Sequence, residues 1–317
     1  MRLGEIYNCF IKEGISSDPR SKKTIQEQLK KQRKDFNSLN KEDKKEFDLE
    51  ALKNPYADTR ILYGAPDREI ETILVGIDID VPEILLADKL SSTGKKIDLI
   101  ISHHPRGYAL AGFYDVMRMQ ADMLSKLGMN IEIASEFLNQ RIEEVERNVS
   151  ASNHNRPVDA ARMLDIAFMC AHTVADNHVN KYLNEYIQRN KPKTLKDLVK
   201  ILKQIPEYRI ATKDKAGPKI ILGKPEDKVG KISLEMTGGT EGSKEIFGRL
   251  SQLGVNTIVG MHLSEEHFKR VKPEHINVVI AGHIASDTIG LNLLLDKLEK
   301  KDKFEIISCS GFRRLTR

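Results

Sequence analysis

The stretch Ile97-Asp98-Leu99-Ile100-Ile101-Ser102-His103-His104-Pro105 decides how this chain is read. Its apolar run predicts a buried strand, and Pro105, which has no amide hydrogen, ends the ladder. Two imidazoles at the mouth of a strand are poorly placed for core packing and well placed for metal, since neutral imidazole is the commonest metal ligand. Near the other end of the chain the pattern recurs. Ile276-Asn277-Val278-Val279-Ile280-Ala281 predicts a second buried strand, and Gly282-His283-Ile284-Ala285-Ser286-Asp287 follows it. If a helix begins at His283, then His283 and Asp287 share its face and converge on one centre; if it begins near Ser286, a turn must do that work. Asp176, after a short strand at about 168–171, supplies a third locus, a carboxylate able to bridge two ions. Adjacent strand residues point to opposite faces, so His103 and His104 reach two ions more easily than one. A set of N and O donors without thiolate suits two divalent ions of Zn, Fe or Mn better than Ca or Mg.

Working outward, strand and helix alternate from about residue 71. Strands are expected at 72–79, 97–102, 168–171, 231–236, 257–261, 276–281 and 304–308. Helices are expected at 82–91, 116–127, 132–163 with a break at Ser150-Asn153, after Asp176 to about 189, and at 242–253, 264–270 and 288–299. This alternation, present in both the first region, residues 67–190, and the second, residues 191–317, predicts an α/β fold with helices covering the sheets. Residues 1–66 stand apart, with 14 Lys and Arg against 11 Asp and Glu. They read as a charged, solvated helical extension packed on the body or on a neighbouring subunit.

The 317 residues, 40% hydrophobic and 31% charged, describe a soluble globular protein. A net charge of +5 is too mild to argue for nucleic acid, which would call for a basic stripe and a recognisable module. Cys9, Cys170 and Cys309 form no paired motif, which excludes a disulfide scaffold or zinc knuckle and fits a reducing cytoplasm. No apolar stretch approaches the roughly 20 residues needed to span a bilayer, and the first residues lack the apolar core of a signal peptide.

The strings ISHHP, CAHTVAD and AGHIASD, in this order, resemble the Nif-three-like dinuclear metal-centre family, whose members are often described as GTP cyclohydrolase I type 2 homologs. The resemblance covers roughly residues 67–317. It implies that His103, His104, Asp176, His283 and Asp287 hold two metal ions, with His172 and His262 as neighbouring histidines. It further implies two α/β domains assembled as a homohexamer, with the metals in the interdomain cleft. The chain departs from the pattern in having Asp287 where Glu is usual and Ile284 where Tyr is usual, and in carrying the extension and the extra helical residues at 132–163.

One further string, Met236-Thr237-Gly238-Gly239-Thr240-Glu241-Gly242-Ser243, lies between a strand and a helix. Amides freed by Gly238 and Gly239 at a helix start could rest a phosphate, with Lys244 adding charge, although no nucleotide fingerprint is matched. The commonplace alternative is a tight strand-to-helix turn. These features together predict a metal-dependent hydrolase of a small-molecule substrate, a nucleotide or other phosphoester, with His172 or His262 moving the proton. The alternative is an oligomeric metal-binding or regulatory scaffold without turnover.

Overall fold

The computed structural model describes all residues from Met1 to Arg317. Nine strands form two sheets. The first contains β1 (Thr59–Tyr63), β2 (Thr72–Gly76), β3 (Leu99–Ser102), β4 (Ala167–Ala171) and β9 (Glu305–Ser308) in the order β1-β4-β3-β2-β9. Here β1 is antiparallel to β4 and all other pairs are parallel. The second contains β5 (Lys219–Leu222), β6 (Lys231–Glu235), β7 (Val255–Gly260) and β8 (Asn277–Ile280) in the order β5-β8-β7-β6, again with only the first strand antiparallel. The apolar runs of β2, β3 and β4 are buried on both faces, as parallel strands covered by helices require.

The α/β expectation holds, and so do most element positions. The helices Val81–Ser92, Ile131–Ser150, Arg156–Met163 and Thr173–Asn190 lie where periodicity places them, including the break after Ser150. Several expectations need correction. The helix expected at 242–253 is only a 3₁₀ turn at Lys244–Ile246 followed by Phe247–Gln252. The break at residues 190–193 leads into two more helices, Leu195–Leu202 and Pro206–Lys213. The cut at residue 190 also does not separate the two sheets, because β9 returns to pair with β2.

The N-terminal 66 residues are not a solvated extension. In the helix Leu3–Ser17, the residues Leu3, Ile6, Tyr7 and Phe10 belong to the main core, against Val174, Ala175, Leu291 and Leu294. β1 also lies within this stretch. The solvated reading fits the next helix, Lys22–Ser38, with Ile25 its sole buried residue, and the short turns Asp43–Glu46 and Leu49–Leu52, which bury none. Charge density over the whole stretch conceals one short apolar face, which is what makes Leu3–Ser17 part of the body.

Two helices bring the donors together. Thr173–Asn190 follows β4, His283–Glu299 follows β8, and the two pack against each other. Their approach depends on Gly290, where a Cβ would stand 2.4 Å from the Ala175 carbonyl oxygen. No helix is long and apolar enough to cross a membrane.

Candidate metal centre

The helix after β8 begins at His283, so His283 and Asp287 share its face. Gly282 makes that start possible. Its φ is +116°, and a Cβ there would meet the Ala216 carbonyl oxygen at 2.5 Å. The helix after β4 repeats the arrangement, with His172 as its N-cap and Asp176 one turn on. Together with the end of β3, these segments bring His103, His104, His172, Asp176, His283 and Asp287 into one cluster.

Three overlapping groups have ligand atoms within 4.8 Å of one another: His103, His104 and His172; His104, His283 and Asp287; His103, Asp176 and Asp287. Nε2 of His103 lies 3.4 Å from Oδ1 of Asp176 and 3.5 Å from Oδ1 of Asp287. The other oxygen of Asp287 faces Nε2 of His104 at 3.5 Å and Nε2 of His283 at 3.6 Å. Oδ2 of Asp176 faces Nε2 of His172 at 3.7 Å. Both carboxylates therefore span two sets of imidazoles. The loss of a methylene at Asp287, relative to the usual Glu, does not confine it to one set.

Burial without partners marks the cluster. His103 and Asp287 are fully buried, yet both ring nitrogens of His103, both oxygens of Asp287 and Oδ1 of Asp176 find no hydrogen-bond partner. Buried polar atoms left unpaired are costly, and these are all metal-ligating atoms. His/Asp clusters of this kind can hold a metal ion, and the residues present fit one. Burial opposes a charge on His103. Asp287 and Asp176 outweigh it and push the ring up to about 10. Burial likewise opposes the Asp287 carboxylate, but the charge of His103 beside it holds it far below its ordinary range.

Two acids that the sequence reading missed orient the rings. Nδ1 of His172 donates to Oδ2 of the buried Asp58 at 2.8 Å, and Nδ1 of His104 donates to Oδ1 of Asp78 at 2.7 Å. Each bond fixes the tautomer and turns Nε2 toward the cluster. Asp78 follows β2 as His103 follows β3, so its strand-end position was a usable signal. Asp58 precedes β1, a strand whose buried arginine hides the apolar pattern.

The remaining expected residues are placed differently. His172, expected to move protons, stands inside the ligand cluster. His262 lies half-exposed at its rim, with its ring 4.7 Å from that of His283 and its Nδ1 facing Oε1 of Glu241 at 3.3 Å. In the stretch expected to cradle phosphate, Gly238, Gly239 and Lys244, the segment after the glycines is a 3₁₀ turn that begins at Lys244 with Ser243 as its N-cap, and Lys244 is paired with Glu266. The carbonyls of Gly238 and Thr240 accept from the side-chain amide of Gln120 at 2.6 and 2.8 Å.

Residues 142–311 match the model of the family described as Duf34/NIF3 (NGG1p interacting factor 3). The chain belongs to the Duf34/NIF3 family. A NIF3 superfamily protein from Sphaerobacter thermophilus aligns at 25% identity and a TM-score of 0.69, covering 80% of this chain and 91% of the other. Reduced HcgD from Methanocaldococcus jannaschii aligns at 17% identity, 78% and 87% coverage and a TM-score of 0.48. TTHA1606 from Thermus thermophilus aligns at 14%, with 79% and 86% coverage and a TM-score of 0.44. No curated protein matches the chain. The two-sheet α/β architecture is thus that of the NIF3 superfamily.

Proposed function

We propose that this Duf34/NIF3 member is a metal-dependent hydrolase whose two divalent ions, Zn, Fe or Mn, are held by His103, His104, Asp176, His283 and Asp287. The observation that carries this reading is the set of buried, unpartnered nitrogens and oxygens shared by three donor groups. When bound, such ions supply Lewis acidity to the bond under attack. The chain's own residues do the rest. Asp58 and Asp78 hold the His172 and His104 rings in one tautomer. Glu241 orients His262, whose Nε2 takes or returns a proton at the open side of the cluster. Burial of Asp176 and Asp287 keeps water out of the donor set except where a ligand is to enter.

The substrate class is a nucleotide or other small phosphoester. The test is elemental analysis of the purified chain, followed by a nucleotide and phosphoester panel. Expected are bound transition metal and turnover that His104→Ala abolishes together with the metal. Full metal content in both His104→Ala and His283→Ala would show that the ligands lie elsewhere. Bound metal with no turnover across the panel would instead make the protein a metal-binding scaffold.

A further inference from the structure

A cavity of about 530 Å³ opens beside β6. Ile232, Ser233, Leu234, Glu235, Met236 and Thr237 all line it. Neighbouring strand residues point to opposite faces, so a cavity touched by six in succession lies along the backbone edge of the strand and not on one face of the sheet. That edge is unpaired. β6 bonds to β7 on one side, and no other backbone segment meets its far side. Its middle, Ile232-Ser233-Leu234, carries neither the charge nor the proline that usually blunts a free edge. Across the cavity stand residues 16–19 and the helix Met119–Lys126.

The first sheet shows what such an edge takes. Both sheets order their first four strands alike, with β6 in the place of β2. The edge of β2 is closed by β9, four residues paired in parallel from Thr72 with Glu305 to Val75 with Ser308. Beyond β9 the chain runs on to the metal cluster, where the Ser310 hydroxyl donates to the carbonyl of Asp78, the acid that anchors His104. The C-terminal end of β6 leads to the same cluster. Thr237, two residues beyond the strand, donates to the side-chain oxygen of Asn177, the neighbour of Asp176, and Asp176 and His262 both line the cavity.

We propose that the edge of β6 takes an extended segment of a partner protein as an added strand, paired in parallel as β9 is on β2, with its C-terminal end toward the metal cluster. Every strand of this chain already has its place in one of the two sheets. The cavity is far too small to admit the sheet edge of a second folded copy, so the occupant is a flexible stretch of another protein. Main-chain hydrogen bonds to β6 supply the affinity. Leu124, Leu127, Phe247 and Leu250 on the walls favour apolar side chains at its central positions, as Ile306 and Ile307 stand in β9. The proposal goes beyond the hydrolase reading and does not depend on it, because the pairing rests on the edge alone.

The test uses the unaltered full chain and, as probe strand, a synthetic peptide copying residues 303–310 with Cys309→Ser. Binding is followed by fluorescence anisotropy and amide hydrogen exchange by NMR. The peptide is expected to bind and to slow exchange at every second amide of β6 at least fivefold. Two further peptides, N-methylated at alternate positions in opposite phase, separate strand pairing from apolar contact. One should bind at least tenfold more weakly and the other much as the parent peptide does, since only alternate amides of a strand face a given neighbour. A nitroxide on the C-terminal end of the peptide should broaden the amide signals of Met261 and His262, and one on its N-terminal end that of Lys231. No binding at millimolar concentration, equal affinity of the two methylated peptides, or protection of β2 in place of β6 would overturn the proposal, and the reverse broadening pattern would overturn the parallel direction.

Discussion

The two sheets are built to one plan and used differently. In sequence order, the first four strands of each lie as first-fourth-third-second, with the first antiparallel. The third strand of each ends near a histidine, His103-His104 after β3 and His262 after β7. The fourth leads into a histidine and an aspartate four residues apart, His172 and Asp176 after β4, His283 and Asp287 after β8. The surroundings differ. Asp58, just before β1, fixes His172; the residues just before β5, Gly217 and Pro218, offer no acid to His283. β9 covers the edge of β2, while the matching edge of β6 is bare. At the end of β2, Gly76 leaves no room for a side chain, since a Cβ would stand 3.0 Å from Sγ of Cys309. At the matching end of β6 stands Glu235, facing the cavity. One half is thus a closed socket with anchored rings, and the other supplies the open wall.

The comparison is broken most severely by removing what closes the socket. Deleting residues 1–65 takes away β1, Asp58 and the apolar face of Leu3–Ser17. The expected result is insoluble or unfolded protein, detected by loss of the far-UV signal and of a cooperative thermal transition. Phe10→Ala alone should cost about 3–5 kcal/mol, the usual range for a buried phenylalanine. A folded, metal-loaded truncation would show that the socket closes without its N-terminal part.

The next largest effect is expected where the two halves meet. Asp287 presents one oxygen to His103 and the other to His104 and His283. Asp287→Asn keeps the shape and removes the charge. It should weaken Zn or Mn in a competition assay by more than the ~10–100-fold typical of residues one shell further out. Asp287→Glu should not tighten binding, because the side chain is fully buried and its added methylene has no free space. Tighter binding by the Glu variant would mean that the backbone has not adapted to the shorter acid.

Much of this was legible in the sequence, for a reason tied to particular residues. Parallel strands buried on both faces read as plain apolar runs, so β3, β4 and β8 and the donors at their ends could be placed without the fold. The antiparallel edge strands could not. β1 carries Arg60, buried and paired with Asp48, and β5 begins with an exposed lysine and spans four residues. Missing β1 meant missing Asp58. Glu235 and Glu241 gave no signal either, since an acid at the end of a strand is usually a solvated turn residue. Only the position of β6 at the sheet edge turns Glu235 toward the cavity, and that edge is a property of topology.

A smaller effect distinguishes anchored from unanchored rings. Asp58→Asn should lower metal affinity by roughly 10–100-fold, because His172 loses the partner that sets its tautomer. Asp78→Asn should fall at or below the low end of that range, since Asp78 is about half exposed and water can take its place. Equal losses from the two variants would show that burial of the anchor does not matter. No loss from either would remove the distinction between the two halves.

The smallest expected effect concerns Glu235, and it is read as stability against pH. Its folded carboxyl is raised to about 7 from an ordinary value of 4.5, chiefly by burial. The folded chain therefore keeps this proton after the unfolded chain has released it. Between about pH 4.5 and 7 the unfolded state is favoured progressively, and above 7 the loss is complete. Glu241 runs the other way. Burial would raise it, but hydrogen bonds from His262 and Ser264 hold it at about 2, so its contribution is present above pH 4.5 and lost in acid. Glu235→Gln removes the first effect and leaves the second in place. The Tm of the variant should equal that of the parent below pH 4.5, rise above it between 4.5 and 7, and keep a constant lead beyond. Parallel Tm curves across the whole range would mean that Glu235 is solvated like any surface carboxylate, and the bare edge of β6 would then be an ordinary surface and not the wall of a site.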